Sequence, residues 1–139
     1  MYSALNIAKY AVSKCTNDGC PISNLHLQKI LYYLQREYLR NGYDLFEDEI
    51  QAWKFGPVVS TVYYYYCGYG SLPIEEISDV KIEQSDVNQI ISIIDEYKYK
   101  DPWELVSETH KPGGAWSIIF NNGTGDHKVI PKMLIAEKG

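Results

Sequence analysis

Cysteine is scarce and odd in number: Cys15, Cys20 and Cys67 are the only three among 139 residues. An odd set is no disulfide framework, and a chain this long needs none, because it can bury roughly two-thirds of its unfolded surface. The expectation is reduced thiols and a cytoplasmic location. No apolar run approaches the roughly 20 residues that cross a bilayer, so no membrane partner is expected. Met1-Tyr2-Ser3-Ala4-Leu5-Asn6 also lacks the basic start and apolar stretch of a secretion leader. There is no internal repeat and no low-complexity tract, so residues 1–139 read as one domain. Positive charge is in deficit, with a formal net charge of −5, which disfavours adhesion to nucleic acid.

Catalytic signatures are missing too. The chain has no G-x-S-x-G, no H-E-x-x-H and no phosphate loop ending in Lys-Ser/Thr. Cys15, Cys20 and His26 are spaced C-x4-C-x5-H without a fourth ligand, short of what structural zinc requires. Gly123-Thr124-Gly125 is too short for a nucleotide fingerprint. Glu47, Asp48 and Glu49 precede Lys54, but Ala52 stands where a nuclease-like acid-x-Lys step needs its acid. His110 is a candidate general base without a nucleophile at readable spacing. The expectation is no enzyme, no cofactor and no metal, with a hydrolase built on His110 as a remote alternative.

Tyrosine is abundant. Eleven of the thirteen lie in residues 1–70, where six basic and six acidic residues cancel; residues 71–139 carry seven and twelve, hence the whole −5. Tyrosine suits interfaces because its ring buries apolar area while its hydroxyl still finds a hydrogen bond. Tyr63-Tyr64-Tyr65-Tyr66 is informative by geometry: at about 100° per helical residue, four consecutive positions cannot all face one core.

The periodicity predicts a mainly α, single-domain helical bundle with a minor two- or three-stranded β ribbon. Ser3 caps a helix to about Lys14, and Ser23 caps a long helix over Asn24–Arg40, stopped by Gly42. In the long helix Leu27, Ile30, Leu31, Leu34 and Tyr38 form the apolar stripe, which puts Gln28 and Lys29 on a solvent-facing side. Glu49–Phe55 reads as a strand ended by Gly56-Pro57, with Pro57 opening a helix that runs to about Cys67. Val80–Ile82 and Lys128–Ile130 read as short strands. Helices are expected at Asp86–Lys100 with Ser85 as cap, after Asp101-Pro102, at Ala115–Phe120 and from Pro131.

Three stretches carry a resemblance. The first is Asn24-Leu25-His26-Leu27-Gln28-Lys29-Ile30-Leu31-Tyr32-Tyr33. The second is Leu45-Phe46 followed by Glu49-Ile50-Gln51-Ala52-Trp53-Lys54-Phe55-Gly56-Pro57-Val58-Val59. The third is Thr109-His110, Gly113-Gly114 and Trp116. In this order they resemble the SocA-like Panacea antitoxin domain family, with His26 where the family usually has lysine and Ala115 where it has proline. The resemblance implies an antitoxin-like module, of a kind also found in phage genomes, that neutralises a protein partner, a cognate toxin, by direct contact. The alternative is a phage or prophage regulator or adaptor that delivers a client protein to other machinery. The candidate partner-binding residues are Gln28, Lys29, Tyr33, Lys54, Phe55, Gly56, Pro57, Val58, Tyr63, Tyr64, His110 and Trp116. Without heptads, the chain is expected to be a monomer or weak dimer.

Overall fold

The computed structural model describes residues 1–139. Seven α-helices surround a two-stranded hairpin: α1 Ala4–Asn17, α2 Asn24–Arg40, β1 Gln51–Trp53, β2 Gly56–Val58, α3 Ser60–Tyr66, α4 Gln84–Tyr97, α5 Pro102–Thr109, α6 Ala115–Phe120 and α7 Lys132–Lys138. Short 3-10 turns follow α3 and α6. The mainly helical bundle with a small ribbon is thus present. No helix is long and apolar enough to cross a membrane.

Three caps sit where the sequence puts them. Ser3 accepts from the Asn6 N–H, Ser23 from the His26 N–H and Asp101 from the Trp103 N–H, each satisfying a backbone donor that a helix start leaves free. Pro102 follows at the first helical position, where a missing N–H costs nothing. Asp86 falls in the first turn of α4, but that helix starts at Gln84 with Glu83 as its cap residue, so Ser85 lies inside it.

α2 is the axis of the molecule. It packs against α1, α3, α4, α5, α7 and β2, so little of its circumference reaches water. The expected solvent-facing side of α2 is overturned for this reason: Gln28 is 1% exposed and Lys29 0%. A helix walled in all round must bury polar side chains too, and these are tied to backbone groups, as burial requires. Gln35 donates to Asp44 Oδ1 and the Phe46 carbonyl and accepts from the Leu45 N–H. Gln28 accepts from the Val59 N–H and donates to Asn24, whose own amide reaches the Tyr63 carbonyl. One side chain thereby fastens the loop after α2, and a pair fastens the start of α3.

The hairpin corrects a second expectation. Gly56-Pro57 does not end the ribbon and open a helix; it forms β2, paired antiparallel with β1 in the register Gln51↔Val58, Ala52↔Pro57, Trp53↔Gly56. Lys54 and Phe55 make the two-residue turn, and α3 starts only at Ser60. Proline is tolerated because a hairpin leaves one edge of β2 free of ladder demands. On the other side of β1, Lys128–Ile130 runs as a partial third strand: the Ala52 N–H reaches the Lys128 carbonyl and the Ile130 N–H the Ile50 carbonyl. Val80–Ile82 forms no strand. It is a surface connection into α4, pinned by the Ser78 N–H to Ser13 Oγ and the Glu83 N–H to the Tyr2 hydroxyl, with no strand edge to pair with.

Candidate functional site

The hairpin, the first turns of α2, the start of α5 and the 126–127 loop enclose a cleft of about 370 Å³. Six of the twelve residues singled out in the sequence line it: Gln28, Lys29, Lys54, Phe55, Val58 and Tyr63. Trp53, Trp103, Asp126 and His127 line it too, with Asn24, Leu25, Gly70 and Ser71 making up the rest.

The walls are aromatic and mutually packed. Phe55 meets Trp103 edge-on at 5.3 Å between ring centroids. Across the cleft Trp53 meets Tyr63 at 4.9 Å, also edge-on, and stacks on His127 at 4.3 Å. Tyr64 extends this wall to the surface, 6.0 Å from Trp53. Such offset and edge-to-face pairs hold rings in place beyond what burial alone does. The rim is open to partners: Phe55 is 46% exposed, Trp103 54% and Tyr64 61%. Within the tyrosine run Tyr66 is buried while Tyr64 and Tyr65 are exposed, as helical geometry demands.

Lys29 closes the floor. Its ammonium donates to the Pro57 carbonyl at 3.2 Å, its only hydrogen bond. No acid pairs with it, and burial alone pushes its pKa down to about 7. The space for it exists because Gly56 lacks a side chain: a Cβ there would come within 2.9 Å of Lys29 Nζ and 2.8 Å of Thr109 Oγ1. Gly56 also has φ +114°, a region open in practice to glycine.

Beneath the hairpin lies a second set of the singled-out residues. Trp116 donates through Nε1 to the Trp53 carbonyl at 2.7 Å, and His110 stacks on Trp116 at 3.7 Å with rings nearly parallel. His110 Nε2 is buried without a hydrogen-bond partner. Its pKa is held below the ordinary histidine value by desolvation, with the Lys29 charge adding to it. Trp116 is 7% exposed, and Gly56, Pro57 and Val58 are buried. These residues therefore hold the hairpin from inside and do not present a surface. Tyr33 lies apart, where α2 meets α4 and α5: it stacks on Tyr97 at 4.4 Å and donates to Glu108. Of the twelve, Lys54, Phe55 and Tyr64 are openly exposed.

No nucleophile is hydrogen-bonded to His110 Nε2. His26 Nε2 is engaged with the Tyr97 carbonyl at 2.7 Å, and no three His, Cys, Asp or Glu side chains gather as metal ligands would. Cys15 is buried, and its thiol is pushed up to about 11 by desolvation, the opposite of a reactive cysteine.

Sequence reasoning missed Trp103, Asp126 and His127 as cleft residues. His127 had one retrospective signal: it ends an Asn-Gly-Thr-Gly-Asp loop and takes φ +67°, a conformation tolerated by few side chains and notable when it sets a ring against a site.

Comparison with known proteins agrees with the three motifs. Residues 27–117 match the family described as "Antitoxin SocA-like, Panacea domain". The chain is 30% identical over 129 residues to the protein named Antitoxin SocA of Caulobacter vibrioides (strain NA1000 / CB15N), covering 83% of this chain and 69% of that protein. No solved structure matches.

Proposed function

The chain belongs to the antitoxin SocA-like, Panacea domain family, and from that premise we propose that it neutralises a toxin protein by direct contact, without catalysis or cofactor. The observation that supports this most is the aromatic cleft: half-exposed Phe55 and Trp103 on one wall and Tyr64 at the edge of the other, around a hairpin stiffened from below by Trp116 and Lys29. Large aromatic side chains held rigidly at a surface are the usual anchors of protein interfaces, and a rigid frame loses little ordering entropy on binding. The exposed corner Lys54–Phe55 and Tyr64 form the contacting part of the earlier candidate set; Gln28, Lys29, Gly56, Pro57, Val58 and Trp116 support it from within. The protein acts in the cytoplasm as a monomer or weak dimer, and neither nucleic acid nor membrane is its target.

The test starts with a pull-down from the organism that encodes the chain, with the captured protein identified by mass spectrometry and checked for toxicity when expressed alone. The double variant Lys54→Glu, Tyr64→Ala should then bind that protein at least about tenfold more weakly, the factor that about 1.4 kcal/mol represents, with an unchanged melting temperature. Unchanged binding, together with loss on substitution of Glu75, Glu76 or Asp79, places the interface on the acidic side and refutes the reading.

A further inference from the structure

Two lysines meet the cleft and neither has an acid partner in this chain. Lys29 is fully buried, has one carbonyl acceptor for three N–H donors and no acid within pairing distance. Lys54, on the rim, lies over the Phe55 ring at 5.5 Å and makes no ion pair. The one carboxylate on the cleft, Asp126, is half exposed and lies 2.9 Å from His127 Nδ1. A buried ammonium with unmet donors is costly to keep unless something supplies the missing charge. The remaining walls are aromatic, with Phe55 and Trp103 half exposed.

We propose that the cleft receives a segment of the partner protein that places an apolar side chain between Phe55 and Trp53 and an aspartate or glutamate carboxylate against the Lys29–Lys54 pair. This deepens the reading of the chain as a protein-binding module and rests on it. Charge complementarity selects the acid: two lysines, Lys29 and Lys54, meet the cleft against the single carboxylate of Asp126, on a chain whose net charge is −5. The extent of the surface selects a protein segment over a small carboxylate. At about 370 Å³ the cleft is at the small end for a ligand pocket, while Tyr64 carries the aromatic surface beyond its mouth. Lys29 lines the floor of the cleft, and its ammonium is tethered only to the Pro57 carbonyl.

The experiment needs no knowledge of the toxin. A random dodecamer peptide display library is selected on the wild-type chain, and the consensus peptide is synthesised with acetyl and amide ends. The expected consensus has an acidic residue beside an aromatic or aliphatic one. Replacing that acid by its amide should weaken binding at least about tenfold by calorimetry, and Lys29→Met should do the same. Phe55→Ala and Trp103→Ala, at exposed positions, should also abolish it; they decide the matter together with the amide peptide if Lys29→Met does not fold. Enriched peptides without an acid, peptides indifferent to Lys29→Met and Phe55→Ala, or no enrichment at all would overturn the proposal. Phenylacetate binding as tightly as the peptide would also overturn it, by making the cleft a small-carboxylate site. Failure to capture a toxin counts against the antitoxin reading and leaves these outcomes unaffected.

Discussion

Lys29 and Gly56 share one space. The ammonium lies where a side chain on residue 56 would stand, 2.9 Å from the position a Cβ would take, so the hairpin can close over α2 only if one of the two is minimal. A motif residue on a helix and a motif residue on a strand, 27 positions apart in sequence, are thus one structural unit.

Gly56→Ala should therefore be among the most damaging small substitutions in the chain. It meets both a backbone angle of +114° and contacts under 3 Å to Lys29 and Thr109. Strain at such an angle costs about 1–3 kcal/mol, and overpacking about 1–3 kcal/mol more. Urea denaturation should give a loss of about 3 kcal/mol; a loss below about 1 kcal/mol means that the hairpin does not need the close approach.

Lys29 should make stability depend on alkaline pH. Its folded pKa, about 7, lies below the ordinary lysine value. Between the two, the unfolded chain holds a proton that the folded chain has lost, so stability rises with pH through this window; below pH 7 both states are protonated and the penalty is complete. At about 1.4 kcal/mol per pH unit, the gain from pH 7 to 10 is on the order of 3 kcal/mol. Above pH 10 the sign reverses, because burial holds Tyr33, Tyr38 and Tyr66 above the ordinary tyrosine value. Lys29→Met should be at least as stable as wild type at pH 7 and should lack the rise, falling instead above about pH 9 because the buried Cys15 thiol, pushed up to about 11, keeps in the fold a proton that the unfolded chain loses. Parallel pH profiles for the two proteins would rule out a depressed lysine.

Neighbouring tyrosines should respond oppositely to truncation. Tyr66 is 2% exposed and part of the core, Tyr64 61% exposed. Tyr66→Ala should cost about 3–5 kcal/mol, as large-to-small changes of buried aromatics do. Tyr64→Ala should stay within about 0.5 kcal/mol. Thermal melts of the two variants decide it, and similar losses would mean that the run does not face as described.

Gln35 should prove more valuable than its polarity suggests. Gln35→Leu keeps the bulk but strands the buried Leu45 N–H and leaves the Phe46 carbonyl with only the Lys132 ammonium as donor. An orphaned buried group costs about 1–3 kcal/mol, and amide exchange at Leu45 should speed up more than tenfold. Unaltered exchange there would mean that water or the backbone replaces the side chain.

The parts of the fold that depend on local chemistry were legible. Ser3, Ser23 and Asp101 cap helices by bonds that span two or three residues, and α2 begins at Asn24 and ends at Arg40 as its stripe implied. What was not legible depends on distant neighbours. Gln28 and Lys29 have the spacing of an outer face, and only the elements packed around α2 turn that face inward; the near-continuous apolar run from Ile30 to Leu34 was the hint of a helix buried on every side. Gly56-Pro57 reads equally as a breaker before a helix or as an entry into a strand, and pairing with β1 decides it. The candidate site divides the same way. The hairpin residues and Tyr63 were found because they sit in one stretch, whereas Trp103 and His127 reach the cleft from the start of α5 and from a loop, 40 or more positions further on, with no spacing that links them.

The residues around the mouth of the cleft are built so that they can change. Lys54 and Phe55 on the hairpin, Trp103 on α5 and Tyr64 on α3 stand outside the core cluster, and the hairpin is fixed from below by Trp116, Lys29 and the Gly56 gap. Divergence at the mouth is therefore uncoupled from the requirements of folding: on the proposed reading, a new set of side chains there would retarget the module without a new interior. A lineage that needed to meet a succession of different opponents could do so on this one scaffold by substitution at a handful of positions.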